Sequence, residues 1–184
     1  MKKFIVLVLA LGMAVGSFAQ VIQLDETRLN FDPTAEIVFE DYQNGVVKVK
    51  EKYAAQFQGD AIKFMIRNFD IQRFIQEANV NAGDIVVTVK SSKGQLSASY
   101  DLDGNLLETS QRFTNINLPP SIRNQVYGNY QGWTMTKNKY MAFGKQDRID
   151  KEKYIVILEK GNDRERVKII PAQYNSGVAS IEKF

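Results

Sequence analysis

Residues 85–100 read IVVTVKSSKGQLSASY. Ile85 to Val89 is a short, nearly continuous apolar run, and after it Leu96, Ala98 and Tyr100 alternate with Gln95, Ser97 and Ser99. A period of two sends successive side chains to opposite faces of a strand, so one face is buried and the other wet. Lys93-Gly94 joins the two runs as a hairpin, and Asp103-Gly104 turns the chain into a third strand from Asn105 to Phe113. An antiparallel three-stranded unit is the expectation.

Upstream, the period changes to that of a helix. Asp60 can cap a segment in which Ile62, Met65, Ile66 and Phe69 fall at i, i+3, i+4 and i+7. Asp70 opens a second helix carrying Ile71, Phe74, Ile75 and Ala78, with Phe69 and Phe74 placed as a hydrophobic staple. Val46, Val47 and Val49, after the turn pair Asn44-Gly45, predict a strand ending near Tyr53. Val21 to Leu24 read as an edge strand, and Pro33 marks a break. Downstream, Leu118-Pro119-Pro120 opens a helix whose Ile122, Val126 and Tyr130 share a face, with Gly132 as its stop. Trp133 to Phe143 reads as a long strand, and Lys153–Leu158 with Glu165–Ile170 as a hairpin turned at Gly161-Asn162. This hairpin resembles the one over 85–100, a weak internal repeat. The order helix, three strands, helix, three strands predicts an α+β fold with helices on one face of an antiparallel sheet. One domain spans residues 20–170, and residues 171–184 read as a polar tail.

The N-terminus has the three parts of a secretory signal: Lys2-Lys3, an apolar run from Phe4 to Val15, and small residues at Ser17 and Ala19 before Gln20. An uncleaved anchor or a buried helix is the alternative. The three-part order favours a leader of residues 1–19 cleaved after Ala19, and hence a periplasmic or secreted protein. The full chain carries 24 Lys and Arg against 21 Asp and Glu, and loss of Lys2 and Lys3 leaves 22 against 21. Such a balance is not the footprint of a nucleic-acid binder. No segment after the leader is apolar enough to span a membrane.

The chain has no Cys and no His. That removes Cys–His and Ser–His nucleophile pairs and every zinc site built on thiolate or imidazole. No catalytic, cofactor-binding or metal-binding residue is expected. Asp101-Leu-Asp103-Gly104-Asn105 has the alternate acids of a calcium loop, but the Gly stands fourth rather than sixth and Arg112 stands where a twelfth-position Glu belongs. A hairpin turn explains the same residues. The aromatic stretch Tyr127, Tyr130, Trp133, Tyr140 and Phe143 either fills core or contacts a partner. Tyr130, Trp133 and Tyr140 are the candidate binding surface, with Trp133 the better core residue and Tyr140 the better exposed one.

Residues 98–107 (ASYDLDGNLL), Leu118-Pro119 and Tyr130-Gln-Gly-Trp133 resemble the PepSY-like proteins with a β-lactamase-inhibitor-protein-like fold. Glu51-Lys-Tyr53 through Phe64, Asn68-Phe-Asp-Ile71 and Val89-Lys-Ser-Ser-Lys-Gly94 are similar to small secreted members from Bacteroidota. The resemblance covers residues 45–170 and implies helices on an antiparallel sheet, with no functional residue to carry over. Its functional implication is an exported, non-catalytic binding or inhibitor-like module whose partner is a protein or an envelope polymer. Some relatives carry a nicotinate-nucleotide adenylyltransferase label. That activity uses a His-containing nucleotide motif on a Rossmann-like sheet, which a chain without His does not provide. A structural envelope protein that self-associates through a sheet edge is the remaining alternative.

Overall fold

The computed structural model describes residues 38–43, 45–79, 81–171 and 180–183. In chain order the elements are β1 (Phe39–Gln43), β2 (Val46–Val49), α1 (Glu51–Gly59), α2 (Ala61–Asn68), α3 (Ile71–Glu77), β3 (Ile85–Ser91), β4 (Gly94–Tyr100), β5 (Leu106–Thr114), α4 (Pro120–Asn129), β6 (Thr134–Lys145), β7 (Arg148–Lys160), β8 (Asp163–Ile170) and β9 (Ser180–Lys183). The strands form one nine-stranded sheet in sequence order.

The expected architecture is corrected here. Two strands precede the helices, three helices follow before β3, and the sheet is mixed because β2 pairs parallel with β3 through Val46–Thr88, Val47–Val89 and Lys48–Lys90. Neither the order helix, three strands, helix, three strands nor a purely antiparallel sheet holds. The physical reason is the crossover: parallel neighbours need a long connection, and α1 to α3 supply it. The strand predicted to run to Tyr53 stops at Val49, and Tyr53 lies in α1. Within the polar tail, Ser180–Lys183 pairs with β8 as β9. The edge strand expected over Val21–Leu24 lies outside the described residues.

Local chemistry explains most of the elements. Asp60 Oδ1 accepts from the Lys63 amide at 3.1 Å and Asp70 Oδ1 from the Arg73 amide at 3.0 Å, so both helices start on a side-chain cap. The Phe69 and Phe74 rings lie 5.8 Å apart across the start of α3, as the staple requires. Pro120 begins α4 at a position whose missing N–H costs no helical bond. Asn138 then ties the connection before α4 to β6: its Oδ1 accepts from the Ile116 amide at 3.1 Å and its Nδ2 donates to the Ile116 carbonyl at 2.9 Å.

The inward side chains of the strands and the buried side chains of all four helices form one core. Phe57 and Phe113 are fully buried with ring centres 5.4 Å apart, and the Tyr100 hydroxyl donates to Met65 Sδ at 3.3 Å. Burial holds that hydroxyl well above its ordinary pKa. The two halves of the core meet over β4 and β5 through close backbone approach. A Cβ on Gly94 would strike the Arg112 carbonyl oxygen and sit 2.7 Å from Phe113 Cα.

Gly94→Ala is therefore expected to lower stability by about 1–3 kcal/mol through overpacking. Gly59 has open space around its Cα and no positive φ, so Gly59→Ala should be neutral or stabilising by up to about 1 kcal/mol. Urea unfolding of the two variants measures the contrast, and equal stabilities would contradict the β4–β5 packing.

Candidate functional site

Strands β5 to β8 have two different faces. The inward one carries Phe113, Tyr140, Ala142, Tyr154, Val156, Leu158, Val167 and Ile169, all buried. The outward one carries side chains that are exposed or half-buried.

The three aromatic candidates belong to the inner side. Tyr130 and Tyr140 are buried, and Trp133 is a half-buried neighbour packed on the core. Tyr130 and Trp133 meet edge to face at 6.2 Å, and Tyr140 stacks at a tilt on Tyr154 at 4.9 Å. The expectation that Tyr140 is the exposed member is corrected: it alternates in phase with Asn138 and Ala142, which also face inward. The aromatics of that stretch that reach solvent are Tyr127 on α4 and Phe143 on β6.

Tyr140 and Tyr154 share a carboxylate. Burial, and then the neighbouring Glu152 charge and its hydrogen bonds, hold both phenol groups far above their ordinary pKa. Phenols held neutral in this way are poor general bases, and the cluster is a packed polar link in the core. Among the described residues no group of three or more Asp or Glu could hold a metal ion. In the Asp101–Asn105 turn both carboxylate oxygens of Asp101 accept from Asn105, at 2.8 Å from its amide and 2.9 Å from its Nδ2. These bonds lower the Asp101 pKa. Their contribution is present at neutral pH and is lost as pH falls through that lowered value. The turn reading accounts for these residues without a cation.

The outward face presents the chemistry that residue-by-residue reading overlooks. A groove of about 910 Å³ lies across β5 to β8, bordered by Arg112, Met141, Phe143, Lys151, Lys153 and Lys168 among others. Its lining holds five cations, with Arg148 completing the set, against the two acids Asp150 and Glu152. The Glu152 carboxylate is engaged by Tyr140 and Tyr154. The pairing register explains how the groove arises. Met141 lies between Arg112 and Lys153, and Phe143 between Ser110 and Lys151. Ile155 lies between Lys139 and Lys168, and Ile157 between Lys137 and Arg166. Along each strand these residues look like ordinary wet positions, and only the cross-strand register assembles them.

Toward β3 and β4 the outward face changes to small hydroxyls, with Thr88 Oγ1 and Ser97 Oγ 3.1 Å apart. No helix among the described residues is long and apolar enough to cross a membrane. No protein-family model, curated protein or solved structure matches the chain.

Two substitutions on β6 separate the faces. Tyr140→Ala empties a core site and should cost about 3–5 kcal/mol, while Phe143→Ala, on the open side, should stay within about 1 kcal/mol of the parent. Denaturant unfolding reads both, and a neutral Tyr140→Ala would place that ring at the surface after all.

Proposed function

We propose that the protein is an exported, non-catalytic binding module of the cell envelope that takes its partner on the open face of β5 to β8. The observation that carries this reading is the groove bordered by Arg112, Met141, Phe143, Lys151 and Lys153 on the side of the sheet away from the core. A concave surface that combines apolar area with several polar groups is the ordinary form of a binding site. Its excess of cations steers acidic partners toward it. The three-part order of residues 1–19 supports export. The absence of His and Cys removes the commonest catalytic bases and nucleophile pairs.

The test is affinity recovery from an envelope extract with three baits: the parent, a Lys151→Glu/Lys153→Glu variant, and an Arg123→Glu control on exposed α4. A defined partner should be recovered by the parent and the control and be lost with the groove variant, while all three keep the same melting temperature. Equal recovery by all three baits would move the binding site elsewhere.

A further inference from the structure

The open face carries more order than a basic patch. Phe143 and Met141 on β6, then Ile155 and Ile157 on β7, follow one another as a diagonal apolar line. Met141 pairs with Lys153, and Lys139 with Ile155, so the step from Met141 to Ile155 is one diagonal between adjacent strands. Such diagonals are roughly 7–8 Å, still within reach of long side chains. With the strand rise of about 3.3 Å per residue, the line extends over roughly 20 Å.

Cations flank this line on both sides. One rim is Arg112, Lys139 and Lys137, and the other is Lys151, Lys153, Lys168 and Arg166. Arg112 and Lys153 stand two strands apart, which is roughly 9.5 Å at the usual strand spacing. The line ends at Glu159, which pairs with Arg164 at 3.7 Å. Holding this many like charges around apolar residues is unfavourable in the free protein, since like charges on neighbouring positions repel. Extended lysine and arginine stems lying along Met141 and Ile155 keep the apolar atoms half-covered until something replaces them.

We propose that the open face is a docking site for an amphipathic α-helix of a protein partner, with an apolar stripe and acidic residues on both flanks. The proposal rests on the binding-module reading and specifies its ligand. Three features match. A helix is about 10 Å across, the distance between the cationic rims, and about 13 residues of it cover 20 Å. An apolar face bordered by polar flanks is what an amphipathic helix presents, and grooves are read by such helices through i, i+3, i+4 and i+7 anchors. A helix laid there would also complete a third layer over a sheet that has helices on its other face. An anionic lipid fits less well, because its charge sits at one end of the acyl chain rather than along both sides. A polyanion without apolar surface leaves the central line unused.

The test uses a fluorescein-labelled 18-residue peptide with Leu on one helical face and Glu on both flanks. Three further probes accompany it: the same peptide with Lys flanks, an oligo-Glu peptide of equal length, and phosphatidylglycerol vesicles. Anisotropy should show the acidic amphipathic peptide binding at least tenfold more tightly than any of these, with helical circular dichroism gained on binding. Lys153→Glu and, separately, Phe143→Ser should each weaken it at least tenfold at unchanged melting temperature. Oligo-Glu or vesicles binding as tightly as the peptide, and losing that binding in Lys153→Glu, would overturn the helix while leaving the open face as a binding site. Peptide binding that neither substitution changes would overturn both the helix proposal and the binding-module reading.

Discussion

The two-residue period from Ile85 to Ile169 is the constraint on which the rest of the molecule depends. Val87, Val89, Leu96, Ala98, Phe113, Tyr154, Val156, Val167 and Ile169 are all inward and almost wholly buried, and the ladders from β3 to β8 keep them in phase across six strands. A slip of one residue in any ladder would turn a full set of apolar side chains to water. Burial of that face against the four helices therefore selects a single register. The same selection decides, with no further freedom, which residues stand on the other face. Lys139, Met141, Lys151 and Lys153 are neighbours outside because Tyr140, Ala142 and Tyr154 are neighbours inside.

Where the physics is local, the sequence is legible. The β3–β4 hairpin, the Asp60 and Asp70 caps, the Phe69–Phe74 staple and the Pro120 start of α4 are each set by contacts within a few residues. Where the physics is distant or leaves no marker, the reading fails. Helix α1 starts after Lys50 with no capping side chain, directly behind a run of β-branched residues, so Val46 to Tyr53 reads as one strand. The parallel pairing of β2 with β3 joins residues some forty positions apart, and no local signal announces it. Strand β9 is four residues long and has a single described neighbour in the sheet, β8.

The candidate site shows the same division. Tyr130, Trp133 and Tyr140 stand out as large amphipathic rings, but their abundance reflects the core they fill. Tyr140 and Phe143 are three residues apart on one strand and face opposite ways. The cationic residues that line the groove are scattered from Arg112 to Lys168 and read singly as a solvated surface. Their alignment beside Met141, Phe143, Ile155 and Ile157 exists only after β5 to β8 have paired. Function on this fold is thus carried by register, and the composition of each strand taken alone conceals it.

Lysine acetylation footprinting tests most directly whether the open face receives the ligand. Reactivity at each lysine would be read by mass spectrometry with and without saturating acidic helical peptide. Lys139, Lys151 and Lys153 should be protected in the complex, while Lys52 on α1 and Lys63 on α2 keep their free-state reactivity. Protection centred on Lys52 and Lys63, with the three sheet lysines unchanged, would contradict the assignment of the binding face.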